Sequence, residues 1–138
     1  MPPEKSFENR VKRWLTGLGI YALGTPENKM LVPSIGYFEK RWGGGYSQSG
    51  LPDLHIVING INIDCELKAR TGRPSELQKF MVHQINQCGS VALILYPDGF
   101  QEFQNLILGV IDRCNSHIPV LNALKVALSN SNYVIKTS

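Results

Sequence analysis

The chain is poor in cysteine, with only Cys65, Cys88 and Cys114 among 138 residues. An odd number at wide spacing with no CxxC pair argues against a disulfide framework, a redox pair or a zinc site. Each falls on the apolar side of its expected element, so all three read as small buried residues. Long apolar runs are missing too: none approaches the roughly 18 residues of a membrane span. The start Met1 to Arg10 is polar and unlike a signal peptide. The expectation is therefore an intracellular, cytoplasmic protein, not secreted and with no membrane partner. No internal repeat or low-complexity segment is visible. A composition of 43% hydrophobic and 18% charged residues is that of an ordinary globular protein. The length suits a single domain over residues 1–138, able to bury a core without staples.

What is present is centred on Gly50 to Gln78. Asn59-Gly60 stands between His55-Ile56-Val57-Ile58 and Ile61-Asn62-Ile63, the strongest short-range hairpin signal. A two-residue turn fixes the register. It sets Ile58 opposite Ile61, Val57 opposite Asn62, Ile56 opposite Ile63, His55 opposite Asp64 and Asp53 opposite Glu66. Two carboxylates then share one sheet face with Cβ atoms roughly 5 Å apart, which is destabilising unless something compensates. The second strand alternates, with Ile61, Ile63, Cys65, Leu67 and Ala69 on one face and Asn62, Asp64, Glu66, Lys68 and Arg70 on the other. Lys68 thereby joins the acid pair. Mg²⁺ takes oxygen ligands and uses one or two carboxylates with waters and substrate phosphate, so Asp53, Glu66 and Lys68 suit metal-assisted phosphodiester chemistry. The net charge of +3 is weak evidence alone, but the basic excess lies before residue 80. With Asp53 and Glu66 neutralised by a dication, the surface around them becomes a phosphate-binding face.

Upstream, Phe7, Val11, Trp14, Leu15 and Leu18 recur at three and four residues, an amphipathic helix over Ser6 to Leu18 closed by Gly17 and Gly19. Glu8 lies at the edge of its apolar stripe. Arg10, Lys12 and Arg13 read as solvated charge or as phosphate contacts. Tyr21 to Leu23 suits a short strand, Thr25 to Asn28 a turn, and Met30 to Trp42 one strand of the sheet. The run Gly43-Gly44-Gly45 prevents regular structure. Around it Lys40, Arg41, Trp42 and Tyr46 mix cations and aromatics as nucleic-acid surfaces do; a linker with Trp42 in the core is the equal alternative.

Downstream, Arg70 to Pro74 is a turn and Ser75 to Cys88 a second helix, with Leu77, Phe80, Met81, Gln84, Ile85 and Cys88 inward. Ser75-Glu76-Leu77-Gln78 is a capping box, so Gln78 is either a cap or a member of the site near Lys68. Val91 to Leu95 suits a strand covered on both faces and parallel to an earlier one. After a turn at Pro97-Asp98-Gly99, Phe100 to Cys114 forms a third helix with Phe103, Leu106, Ile107, Val110 and Ile111 inward. Pro119 starts a fourth along Val120, Leu121, Leu124, Ala127 and Leu128, before a Tyr133 to Ile135 tail.

Taken together, Glu8 in the first helix, Gly50-Leu51-Pro52-Asp53, then Glu66-Leu67-Lys68 across the hairpin, and Pro74-Ser75-Glu76-Leu77-Gln78 opening the next helix form a composite. It resembles the PD-(D/E)xK nuclease superfamily, most closely the stand-alone VRR-NUC nucleases, which are similar to archaeal-type Holliday-junction resolvases. The resemblance covers about Phe7 to Leu95; the segment from Gly24 to Ser49 is longer than that family's compact core needs. It implies an α/β fold with a restriction-endonuclease-like core: a mixed sheet containing a 54–58/61–69 hairpin in α-β-β-β-α-β order, with extra C-terminal helices over about 100–130. It implies Mg²⁺ or Mn²⁺ held by Asp53, Glu66, the Leu67 carbonyl and Glu8. Lys68 would orient or deprotonate the attacking water and stabilise the phosphorane-like transition state, with Gln78 positioning Lys68 or the phosphate. Arg70 and Arg73 would clamp phosphates, joined by Lys40, Arg41, Tyr46 and Lys12 as DNA contacts. Asp64 and His55 read as partners of the metal ligands or as a simple cross-strand pair. The implied activity is a metal-dependent DNA endonuclease, homodimeric, acting on branched DNA. The alternatives are a sequence- or end-directed nuclease of the same fold and a nucleic-acid-binding module that does not cut.

Overall fold

A computed structural model of the protein describes residues 1–25, 35–41 and 50–113, with residues 123 and 126 singly. The first element is helix α1 (Pro3–Gly17), which begins three residues before the expected start at Ser6. Proline is well suited to that first turn, where its missing N–H has no partner to lose. Phe7, Val11 and Leu15 are buried along one stripe, and β1 (Ile20–Ala22) follows.

Five strands form one sheet in the order β1, β2 (Gly36–Lys40), β3 (Leu54–Ile58), β4 (Ile61–Leu67) and β5 (Val91–Leu95). The outer pairs β1/β2 and β4/β5 are parallel and the inner pairs antiparallel. Asn59 (φ 47°) and Gly60 (φ 87°) both take the left-handed conformation, as a twisted two-residue hairpin turn requires. The β3/β4 register follows, Ile58 with Ile61 through Leu54 with Cys65. One strand more than the α-β-β-β-α-β order is present: β1 pairs with β2 at the sheet edge. β1 starts one residue before the short strand expected over Tyr21 to Leu23. The second hairpin strand ends at Leu67, so Lys68 and Ala69 lie just past it.

One sheet face carries Phe38, Leu54, Ile56, Ile63, Cys65 and Leu67, all buried with Phe7, Val11 and Leu15 of α1. Helix α3 (Phe100–Arg113) joins the same core through Phe103 and Ile107. Phe100 packs edge-on to Phe7 at 5.8 Å and to Trp14 at 6.0 Å between ring centroids. Leu106, expected inward, is exposed, whereas Val110 and Ile111 pack on the core as expected.

Helix α2 (Glu76–Gln87) departs most from expectation. It has no buried residue, and Leu77 and Phe80 are 44% and 56% exposed. Met81, Val82 and Ile85 are half-buried, and a polar tie adds to them: the Asn86 side chain donates to the Ala92 carbonyl (2.9 Å) and accepts from the Ala92 amide (2.8 Å), satisfying the outer edge of β5. Periodicity reveals an apolar stripe but not which side of the helix meets the fold. β5 is correspondingly covered only in part: Ala92 and Leu95 are buried and Val91, Leu93 and Ile94 half-buried. Cys65 is fully buried as expected, but Cys88 caps α2 and is exposed. Cys114, the expected fourth helix except Ala123 and Val126, and the tail lie outside the described residues. Among the described residues no helix is long and apolar enough to cross a membrane.

Candidate active site

One step beyond the last paired residues of the hairpin, Asp53 comes opposite Glu66, as the register requires. Gly50 and Pro52 bring it there. Pro52 is fully buried, and at Gly50 (φ +82°) a Cβ would meet Leu77 Cγ at 2.6 Å, so only glycine lets this segment pass so close to α2. Asp53 Oδ2 then accepts the Leu67 amide at 3.1 Å, carrying the β3/β4 ladder one bond further by a side chain. The Arg41 amide donates to the Asp53 carbonyl at 2.7 Å, which pins the same residue to the end of β2.

Glu66 points from β4 to the face opposite the core and is 2% exposed. Its Oε1 accepts from Gln78 Nε2 at 2.8 Å and lies 3.4 Å from Lys68 Nζ. As an ionised carboxylate its Oε2 has no donor among the described residues. Burial, then the neighbouring Asp53 charge, pushes the Glu66 carboxyl up to about 7, with Lys68 opposing. The acid pair expected from the register is therefore real and strained in charge. Two adjacent carboxylates, one with an unpartnered buried oxygen, make a donor set that fits a hard divalent cation. Leu67, whose amide already faces Asp53, contributes its carbonyl to the same strand edge. Among the described residues no group of three or more His, Cys, Asp or Glu is gathered to hold a metal; two carboxylates suffice for Mg²⁺ when waters and substrate phosphate complete its shell.

Lys68 is anchored through its amide, which donates to the Leu95 carbonyl at 3.0 Å. The turn that follows is tied to the segment after β5 by Tyr96 Oη on the Gly72 carbonyl (3.0 Å) and by the exposed Arg70–Asp98 pair (3.1 Å). Gln78 closes the expected capping box and, where Lys68 or the phosphate was the expected partner, its amide reaches Glu66. Its Oε1 accepts the Ser75 amide at 2.8 Å while the Ser75 hydroxyl accepts the Gln78 amide, completing the capping box, and its Nε2 is free to hold Glu66.

Glu8 stands apart from the acid pair. It is buried, Oε2 takes Lys5 (2.7 Å) and Lys12 (2.9 Å), and Oε1 takes Lys40, which also lies 3.9 Å from Asp53 Oδ1. Burial opposes its ionisation, but bonds from Lys40, Lys5 and Lys12 outweigh that and hold the carboxyl at about 2. Glu8 thus reaches Asp53 through a lysine, with both oxygens engaged. Lys40 is the last residue of β2, not part of a glycine-rich loop.

His55 and Asp64 form the expected cross-strand pair, Nδ1 to Oδ1 at 2.6 Å, and Asp64 also holds Arg41 at 3.2 Å. Of the anticipated DNA contacts, Arg70 and Arg73 are exposed beside the site, Lys12, Lys40 and Arg41 are engaged by carboxylates, and Tyr46 lies outside the described residues. Sequence reasoning missed Lys5 altogether and the link from Lys40 to Glu8. Lys5 was legible, because Lys5, Glu8 and Lys12 follow helical spacings of three and four. Lys40 was not, since 32 positions separate it from Glu8. Comparison with protein-family models, curated proteins and solved structures finds no match for this chain.

Proposed function

We propose that this protein is a divalent-metal-dependent DNA endonuclease that hydrolyses phosphodiester bonds with Mg²⁺ or Mn²⁺. The observation that carries the reading is the convergence of Asp53, Lys68 and Gln78 on buried Glu66, whose Oε1 meets Lys68 and Gln78 and whose Oε2 has no partner among the described residues. Preference for branched or structured DNA and a homodimeric assembly are proposed on the motif resemblance alone.

Asp53 and Glu66, with the Leu67 carbonyl, would hold the cation. When bound it supplies Lewis-acid stabilisation of the phosphoryl oxygens and a more acidic water. Lys68, held next to Glu66, places a positive charge where the phosphate gathers negative charge and can donate a hydrogen bond to it. Gln78 fixes the Glu66 carboxylate from the rigid first turn of α2 and leaves its second oxygen open. Arg70 and Arg73, both exposed, would meet phosphates further along the strand.

In cleavage assays over linear, single-stranded, flapped and four-way DNA with Mg²⁺ or Mn²⁺, the parent protein cuts at least one form. Lys68→Ala and Asp53→Ala each lower the rate by on the order of 10²-fold or more while DNA binding persists. Cleavage by Lys68→Ala at the parent rate, or no cleavage of any form, would overturn the assignment. Retarded but intact DNA would mark a binding module instead.

A further inference from the structure

An arginine that meets DNA phosphates turns its guanidinium outward, but Arg41 turns inward, to an Asp64 side chain on β4 that is only 7% exposed. Its Nη1 lies 3.2 Å from Asp64 Oδ1 and 3.5 Å from the Pro52 carbonyl, and its amide donates to the Asp53 carbonyl at 2.7 Å. One residue just past β2 therefore grips Asp53 and the residue before it, and ties both to the strand that carries Glu66. The anchor is itself braced. Asp64 Oδ1 is shared with His55 Nδ1 at 2.6 Å; a carboxylate can only accept, so Nδ1 donates. His55 and Asp64 are paired across β3 and β4, two places along from Asp53 and Glu66 on the same sheet face.

Asp53 stands one residue before β3 and is set against a carboxylate that repels it when both are ionised. Left to that repulsion, the segment before β3 would draw away from β4. The positive charge of Arg41 would by itself oppose a cation nearby, and Asp64 offsets it, so the ion pair supplies geometry with little net charge. We propose that Arg41, held by Asp64 and His55, is a positioning residue for the divalent cation, fixing the segment Pro52-Asp53 against β4 so that the carboxylates of Asp53 and Glu66 stay available to one ion. It touches neither the ion nor the DNA. Groups that orient a metal's ligands from behind commonly set its affinity by about 10- to 100-fold. That an ion is held there rests on the nuclease reading above; the grip of Arg41 on Asp64 and Asp53 does not.

Mn²⁺ binding to the full chain without DNA, read from the loss of the free ion's electron paramagnetic resonance signal, tests this role. Arg41→Ala should weaken binding by about tenfold or more, at a temperature where circular dichroism shows variant and parent equally folded. The direction is diagnostic, because removing a positive charge would by electrostatics alone tighten binding of a cation. Arg41→Gln, which keeps a neutral donor, should shift the same way by less, and decides the matter where the alanine variant does not fold. Duplex DNA binding in chelator across a salt series should keep the parent's slope in Arg41→Ala, whereas loss of a phosphate contact would lower it by about 0.9. Mn²⁺ binding as tight as the parent's in a folded variant, or a lowered salt slope, overturns the proposal. A parent that binds Mn²⁺, loses it in Arg41→Ala and yet cuts nothing forfeits the nuclease reading and keeps this one. One that cuts DNA with Mn²⁺ affinity unchanged in Arg41→Ala does the reverse, and a parent that takes up no Mn²⁺ loses both.

Discussion

Glu66 and Glu8 are both buried glutamates, and their surroundings drive them in opposite directions. Glu66 faces another carboxylate and keeps its proton up to about 7, whereas Glu8 faces three ammoniums and stays ionised down to about 2. A carboxyl raised above its ordinary 4.5 costs the native state stability as pH rises from 4.5 to about 7, where the unfolded chain has ionised and the folded one has not. Replacing Glu66 by Gln keeps acceptors for Gln78 and Lys68 and removes the repulsion with Asp53. In chelator at pH 8, Glu66→Gln should be more stable than the parent by on the order of 2 kcal/mol, while at pH 4 the two should unfold alike. Mg²⁺ should then raise the parent's midpoint and leave the variant's unmoved, since only an intact pair gains from a cation. Denaturant unfolding at the two pH values, with and without Mg²⁺, checks all three statements. Cleavage by Glu66→Gln should be lost despite its greater stability, the usual cost of removing a strained functional group.

At the scale of elements, α2 shows one side chain serving two ends. Gln78 closes the capping box with its carbonyl oxygen and holds Glu66 with its amide nitrogen, so its role as a cap leaves the amide available to a neighbouring side chain. The two roles separate by substitution. Gln78→Glu keeps the capping box, which accepts either residue, but sets a third carboxylate against Glu66. Cleavage should fall at least about tenfold, the effect of losing one hydrogen bond of ordinary strength and gaining a repulsion, with the melting temperature nearly unchanged. Ser75→Ala breaks the other half of the box and should cost about 1 kcal/mol of stability with cleavage retained. A Gln78→Glu variant that cleaves DNA at the parent rate would leave Gln78 a cap and nothing more. The rest of α2 was read only in part: Met81 and Ile85 are half-buried as expected, but Phe80, Gln84 and Cys88 are exposed, and the amides of Gln78 and Asn86 add polar anchors.

Across the whole molecule β4 is the strand on which everything depends: Ile63, Cys65 and Leu67 enter the core while Asp64 and Glu66 enter the polar side, alternately and within seven residues. Core and site therefore cannot come apart. Ile63→Ala should cost about 2 to 5 kcal/mol. Loss of helical signal and loss of DNA binding should move to lower denaturant together, as one transition; binding lost well before the helices would show the site to be separately stable. This coupling was legible early. Asn59-Gly60, the alternation on either side of it and the motif spacing determined the hairpin, its register and the meeting of Asp53 with Glu66, because a two-residue turn and a period of two leave no freedom. The helix with Phe7, Val11 and Leu15 and the capping box at Ser75 were equally local. Only the tertiary structure decided that Glu66 is buried with one oxygen unpartnered among the described residues, that α2 leaves Phe80 exposed, and that Lys40 closes on Glu8 and Asp53. Burial and contacts across long stretches of chain depend on where separate elements come to rest, and no periodicity within one element carries that information.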